Sequence, residues 1–258
     1  MKNLVVGLVQ QIITPNAVEE NLARYAATLS TLSKSVDLIV LPEVFTTGFC
    51  ANARQYAEVV GGRAYQWMHQ QAQQYNAVVT GSLVVKKGDD YFNRLVWMRP
   101  DGTYEHYDKR HLFRMAGEHT RYAMGHQRLL VELHGWRILP LICYDLRFPV
   151  WSRNRNDYDL ALYVANWPSA RALHWNRLLQ ARAIENLSYV IGVNRVGMDE
   201  ADQHYAGDSS VYSASGDLIA TSQEAAVIVV ELFASELQAY RERFPAHLDA
   251  DSFELTEF

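Results

Sequence analysis

The spacing of apolar and polar residues along the chain predicts short buried strands separated by amphipathic helices. Apolar runs at 4–9 and 37–41 read as strands buried on both faces. Between them, residues 18–34 place Leu22, Tyr25, Leu29 and Leu32 at helical spacing. A helix is expected over 63–76. Strands are expected over 77–85 and 91–98, on either side of Lys86-Lys87-Gly88-Asp89-Asp90, and Pro100-Asp101-Gly102 has turn-forming residues. The second half keeps the same rhythm. Strands at 129–133 and 137–143 meet at His134-Gly135, and a helix begins over 148–154 with Pro149 in its first turn. Then come a strand at 159–164, a helix at 172–186, strands at 188–195, 209–213 and 225–232, and a last helix at 235–243 that stops before Pro245. Ser215-Gly216-Asp217 reads as a turn.

Two segments match in outline. Asp37-Leu38-Ile39-Val40-Leu41-Pro42-Glu43 and Asp159-Leu160-Ala161-Leu162-Tyr163-Val164-Ala165 each enter a short buried strand from an Asp. The match fits two similar β-α-β halves, and it equally fits a chance likeness of two buried strands. Sheets this apolar cannot face water, so helices must cover them, and the expected class is α/β.

Composition narrows the function. At 258 residues, with no low-complexity linker and no visible boundary, residues 1–258 are expected to form one domain. Apolar residues make up 49% of the chain, enough for a sizeable core, and charged residues make up 21%, too few for a disordered chain. A net charge of -5 without a Lys/Arg block speaks against a nucleic-acid or membrane surface. The N-terminal apolar stretch is too short for a signal peptide, and no window reaches the ~20 apolar residues of a membrane span. Two cysteines, Cys50 and Cys143, make no disulfide framework and point to the reducing cytosol. The acidic stretch 249–257 is broken by Phe253 and Leu255 and reads as a terminal segment that packs in part.

Reactive groups in α/β domains gather at the carboxyl ends of strands, and three polar residues stand at such places. Glu43 ends an apolar strand; a buried carboxylate of this kind suits a general base, or a structural turn cap. Cys143 ends Ile138-Leu139-Pro140-Leu141-Ile142 and enters Tyr144-Asp145-Leu146-Arg147-Phe148-Pro149. A thiol at such a strand-to-helix turn is expected to be driven towards the thiolate by the helix N-terminus, with the Tyr144 N–H as an oxyanion donor. The plainer reading is a small buried hydrophobe. Lys109 closes His106-Tyr107-Asp108-Lys109-Arg110-His111; near a thiol it would lower the thiol pKa and bind an oxyanion, and otherwise it belongs to a solvated charge run.

Taken together, Leu41-Pro42-Glu43, Tyr107-Asp108-Lys109-Arg110-His111-Leu112-Phe113, Gly117-Glu118-His119 and Cys143-Tyr144-Asp145-Leu146-Arg147-Phe148-Pro149 resemble the nitrilase superfamily of carbon-nitrogen hydrolases, over nearly the whole chain. The resemblance implies a four-layer α-β-β-α sandwich, usually paired into homodimers, and amide-type hydrolysis with no metal or organic cofactor. Its partners would be a small amide substrate and water. Carried over by position, it implies Cys143 as nucleophile, Glu43 as general base, Lys109 with the Tyr144 N–H as oxyanion donors, and Glu118 as the second glutamate that orients Lys109.

True nitrilases tend to follow their Cys with Trp-Glu, whereas Cys143-Tyr144-Asp145-Leu146-Arg147-Phe148 is similar to the bacterial omega-amidase branch. That branch deamidates 2-oxoglutaramate or 2-oxosuccinamate. An N-carbamoyl hydrolase or another aliphatic amidase is the alternative within the superfamily, and a catalytically silent binding protein is the alternative outside enzymes. A substrate carboxylate wants a guanidinium. Arg147, Arg171 and Arg195 are candidates, with Arg147 alternatively in an ion pair with Asp145 or Asp157. Phe113, Tyr144, Asn166 and Trp167 are expected around the substrate. The segments 109–118 and 166–168 depart from the animal omega-amidases and border the expected pocket. Two rival readings are a histidine base drawn from His111, His119, His174 and His204, and a metal site of His106, His111 and His119. The sequence has neither a cysteine-protease signature nor an HExxH pattern to support them.

Overall fold

In the computed structural model of the chain, the structure describes residues 1–32, 34–49 and 53–255, so Ser33 of the helix expected over 18–34, Cys50, and residues 256–257 of the acidic stretch lie outside the described residues. The first sheet contains β1 (Leu4–Gln10), β2 (Leu38–Val40), β3 (Val78–Lys87), β4 (Asp90–Met98) and β5 (Tyr104–Asp108). The second contains β6 (Val131–Leu133), β7 (Trp136–Ile142), β8 (Leu160–Val164) and β9 (Tyr189–Val193). Next, β10 (Val196–Met198) and β11 (His204–Ala206) form a separate ribbon. β12 (Ser209–Tyr212) and β13 (Leu218–Ser222) return to the second sheet, and β14 (Ala226–Leu232) closes the first. The strand orders are β14-β1-β2-β3-β4-β5 and β13-β12-β9-β8-β7-β6. The helices are α1 (Val18–Leu29), α2 (Arg63–Tyr75), α3 (Pro149–Ser152), α4 (Ala172–Asn186) and α5 (Ala234–Arg243).

Period-two burial explains the layers. From β1, β2 and β4, Leu4, Val6, Leu8, Leu38, Val40, Leu95 and Trp97 enter the core shared with the second sheet. Their neighbours Val9, Ile39, Val96 and Met98 pack with Leu22, Tyr25 and Leu29 of α1 and Met68 and Ala72 of α2. On the far side, α4 lies so close to β9 that a Cβ at Gly192 would stand 2.5 Å from Leu179 and 2.6 Å from Trp175. The result is the expected four-layer α-β-β-α sandwich. Among the described residues, no helix is long and apolar enough to cross a membrane.

The two matching segments are a structural repeat. The Asp37 N–H donates to Val5 O (2.8 Å), its carboxylate accepts the Val5 N–H (2.8 Å), and its carbonyl accepts the Val78 N–H (3.0 Å). Asp159 makes the same three bonds to Arg137 O (2.8 Å), the Arg137 N–H (3.1 Å) and the Tyr189 N–H (3.1 Å). Each Asp therefore threads the middle strand of a parallel trio, β1-β2-β3 or β7-β8-β9.

The helix expected over 18–34 ends at Leu29, because the Ser30 and Thr31 hydroxyls turn back onto the Ala27 and Thr28 carbonyls (2.7 Å each). The α-helix expected over 148–154 is only the four residues of α3, preceded by a 3-10 turn over Cys143–Arg147. The strands β5, β10, β11 and β13 are additions to the sequence expectation.

Candidate active site

Strand ends from both sheets converge on one cavity of about 360 Å³. Glu43 lies three residues beyond β2. Val44 beside it has φ 38° and is pinned to β3 by its N–H bond to Ser82 Oγ (2.8 Å). Lys109 lies one residue beyond β5, which runs antiparallel to β4. The ladder continues one step past Arg94↔Asp108, with the Lys109 N–H bonded to Asn93 O (2.9 Å). Cys143 follows β7 directly and has φ 42°, a left-handed conformation that costs a non-glycine residue about 1–3 kcal/mol and must be held by its surroundings.

Asp145 supplies that hold. Fully buried, it accepts the Ile142 N–H (3.0 Å), the His111 N–H (3.0 Å), His111 Nδ1 (2.8 Å) and the Tyr107 hydroxyl (2.8 Å). The Tyr107 hydroxyl accepts in turn from Trp151 Nε1 (3.0 Å). The imidazole of His111 stacks on Phe148 at 3.8 Å. The Tyr144 N–H belongs to the first turn of the 3-10 helix, where N–H groups have no partner within the helix.

The charged groups meet without water between them. Lys109 Nζ lies 2.7 Å from Glu43 Oε1 and 3.1 and 3.0 Å from the two oxygens of Glu118, and all three side chains are at most 1% exposed. Glu43 Oε2 accepts the Asn166 N–H (2.8 Å), and Asn166 Nδ2 donates to the Glu43 carbonyl (2.7 Å). Glu118 Oε2 accepts the Phe113 N–H (2.5 Å), and the Glu118 N–H returns to Phe113 O (3.1 Å), so the short 113–118 loop folds on itself. Cys143 lines the same cavity, with Sγ 4.0 Å from Asn166 O.

A carboxylate, an ammonium and a thiol thus share one wall of a small cavity. Residues 5–242 match the family model described as carbon-nitrogen hydrolase. The chain belongs to this family, the nitrilase superfamily of the sequence comparison. It is 50% identical to the omega-amidase YafV of Escherichia coli K12, covering 99% of this chain and 100% of that one. It is 33% identical to a 2-oxoglutaramate amidase of Bacillus subtilis, over 89% and 91%. The crystal structure of XC1258 from Xanthomonas campestris, a CN-hydrolase superfamily protein with an arsenic adduct in its active site, superposes with a TM-score of 0.97 at 47% identity, over 99% and 100% of the two chains. The protein is therefore a hydrolase of amide C–N bonds.

In this hydrolase the thiol is not pre-ionised. Burial, the largest influence, pushes Cys143 well above the ordinary cysteine value; Glu43 adds to the rise by its charge and a hydrogen bond to the thiol, and Lys109 opposes it. This reverses the expectation of a lowered thiol pKa. The following helix is a five-residue 3-10 turn with little dipole, and Lys109 already balances two carboxylates. For Lys109 itself burial works downward, but Glu118, Glu43 and Cys143 outweigh it and hold the ammonium well above the ordinary lysine value.

The rest of the cavity wall includes each expected substrate neighbour: Phe113, Tyr144, Arg147, Asn166 and Trp167. The Phe113 and Tyr144 rings meet edge to face at 5.0 Å. Arg147 lies 4.8 Å over the Trp167 ring, with Nη2 3.1 Å from His174 Nδ1. It is not the ion-pair partner considered for Asp145 or Asp157, because Asp145 is taken by His111 and Tyr107 and Asp157 pairs with Arg128 (3.2 Å). Arg171 also lines the cavity, 5.5 Å over Phe113. Arg195 does not. It is fully buried, bonded to Ile13 O (2.9 Å) and Met198 O (2.8 Å) and stacked 4.6 Å over Tyr205, where it braces the β10–β11 ribbon.

His111, His174 and His204 are engaged by Asp145, Arg147 and Ser169, and His119 is exposed, so the histidine-base arrangement has no geometric support. Among the described residues, no group of three His, Cys, Asp or Glu side chains is placed to hold a metal ion. Sequence reasoning missed Phe49, Arg121 and the 199–205 hairpin, which line the cavity, and Asn93 behind it. Asn93 did leave a signal: Asn93-Arg94 is a polar pair inside the otherwise aromatic and apolar run Tyr91 to Trp97.

Proposed function

We propose that this hydrolase is an omega-amidase, a single domain over residues 1–258 that removes ammonia from the terminal carboxamide of a small carboxylic acid, 2-oxoglutaramate or 2-oxosuccinamate. The names of the E. coli and B. subtilis relatives support the substrate class. The observation that carries the chemistry is the contact of Lys109 Nζ with both Glu43 and Glu118 beside Cys143.

Cys143 is a neutral thiol in the resting site, so attack requires a base. Glu43 takes the thiol proton as sulfur bonds to the amide carbon, and Lys109 Nζ and the Tyr144 N–H hold the oxyanion. The proton on Glu43 passes to the amide nitrogen, the C–N bond breaks and ammonia leaves a thioester. Water then gives a proton to Glu43 and its hydroxide to the thioester carbon. The C–S bond breaks, the carboxylic acid departs, and the proton returns to sulfur. Glu118 positions Lys109 throughout.

Arg121, Arg147 and Arg171 on the cavity wall support an anionic substrate, with bidentate guanidinium contacts to its carboxylate. The enzyme is expected to act as a homodimer in the reducing cytosol, and sedimentation of the protein as two chains would test the dimer. The deciding experiment is ammonia release from 2-oxoglutaramate, succinamate, glutamine, a carbamoyl amino acid and a nitrile. Preferred turnover of the oxo-acid amide is expected; equal or faster turnover of the carbamoyl compound or the nitrile would move the enzyme to another branch.

A further inference from the structure

Behind the cavity, one neutral side chain touches both buried carboxylates. Asn93 Nδ2 donates to Glu43 Oε1 at 2.8 Å and to Glu118 Oε1 at 3.3 Å, and the Asn93 carbonyl accepts the Lys109 N–H at 2.9 Å. A single residue in the middle of β4 thus contacts all three members of the charge cluster. The orientation of its amide is dictated by its neighbours: with O and N exchanged, its oxygen would face two carboxylate oxygens. Asn93 Oδ1 is buried without a partner. Leaving that acceptor unmade is unfavourable, and the arrangement persists because the two donor hydrogens are committed to anions. The register explains why the residue falls there. Asn93 pairs with Val84 on one side and continues the β4–β5 ladder to Lys109 on the other, while the next residue, Arg94, grips Asp108 with two bonds of 2.6 and 2.8 Å.

The geometry points to Asn93 as a positioning residue of the reaction: it holds Glu43 and Glu118 in place around Lys109, and so keeps Glu43 set to accept the Cys143 proton. The assignment rests on the Cys143–Glu43–Lys109 reading above. The titratable groups facing Glu43 are Lys109 after β5, Glu118 from the 113–118 loop, Cys143 after β7 and Tyr205 from β11. Lys109 is the only cation among these groups, against two carboxylates. Donation from a neutral amide fixes the place of both carboxylates without adding charge. A carboxyl in its place would make a third acid at hydrogen-bond distance from two others, and such groups share a proton.

The test uses the full-length enzyme with Asn93→Asp, which keeps the shape, and Asn93→Ala, which removes the donor. Activity against pH is read as kcat/KM, and alkylation of Cys143 by iodoacetamide is followed by peptide mass, which needs no turnover. The acid limb of both profiles is expected to move to higher pH by about one unit or more in each variant. In Asn93→Asp, alkylation at about pH 6 should fall roughly tenfold and recover at alkaline pH. Profiles that keep the wild-type acid limb, with only the plateau or the melting temperature lowered, would overturn the assignment and leave Asn93 a purely structural residue. Wild-type turnover in Glu43→Gln, measured alongside, would instead refute the underlying Cys143–Glu43–Lys109 reading.

Discussion

Lys109 Nζ lies 2.7 Å from Glu43 Oε1 with each side chain 1% exposed, so the ammonium group and the carboxylate meet in a region closed to water. A buried pair of this kind is weak evidence for stability, but removing one partner strands the other. Lys109→Met leaves Glu43 and Glu118 without their cation. It is expected to abolish turnover and to cost about 3–5 kcal/mol in urea unfolding. An unfolding midpoint equal to that of the wild type would show that the two carboxylates do not depend on Lys109.

Glu43→Gln keeps the shape of the side chain and its contact with Asn93 but removes the base. Because Cys143 is a neutral thiol in the resting site, kcat/KM for ammonia release should fall by at least about 10²–10⁴, with a modest drop in melting temperature because the Gln NH2 faces the Asn166 N–H. Retention of a tenth of the activity would assign proton abstraction to another group.

The raised value of Cys143 has a stability consequence with a definite sign. A group whose pKa is higher in the folded than in the unfolded chain stabilises the fold fully below its unfolded value, here about 8.5, and loses that contribution as the pH rises towards the folded value. Lys109 follows the same rule from about 10.4 upward. Urea unfolding of the wild type should therefore weaken between about pH 8 and pH 10, and Cys143→Ala should weaken less. Parallel curves for the two proteins would mean that the thiol titrates like a free cysteine.

Asp145 collects four donors around the nucleophile elbow. Asp145→Ala leaves them buried without an acceptor. Each stranded donor costs about 1–3 kcal/mol, so the melting temperature should drop by several degrees even where some donors find water. The rate of Cys143 alkylation should change with it, because the φ 42° turn loses its clamp. An unchanged melting temperature would show that the elbow is held by other contacts.

Much of this arrangement is legible from sequence because the strands that carry it are continuous apolar runs. β2, β7 and β8 are buried on nearly every residue, and the residue that breaks each run at the carboxyl end lands in the cavity wall: Glu43 after β2, Cys143 after β7 and Asn166 after β8. Lys109 was found through its local motif, since β5 itself has only Tyr107 buried and carries no apolar signal. The strands β10, β11 and β13 are short and largely polar or exposed, and so gave no period to read. The thiol pKa was misread because local sequence shows a helix start, whereas the burial of the sulfur, the largest influence on it, comes only with the fold. Arg195, one of three arginines considered for the substrate carboxylate, lies away from the cavity because its guanidinium acceptors are at Ile13 and Met198, and only the fold reveals them.

The cavity wall makes a further demand. With Arg121, Arg147 and Arg171 lining the cavity, Arg147→Met should lower kcat/KM for 2-oxoglutaramate by about 10–100-fold and barely alter it for an uncharged amide of similar length. Equal losses on both substrates would assign Arg147 to packing against Trp167.

Ammonia release by folded Cys143→Ala measures the central claim most directly. With the sulfur gone no thioester can form, and release from 2-oxoglutaramate should fall to the rate of the solution without enzyme. Turnover within about a hundredfold of wild type, from a variant with an intact fold, would contradict covalent catalysis at residue 143.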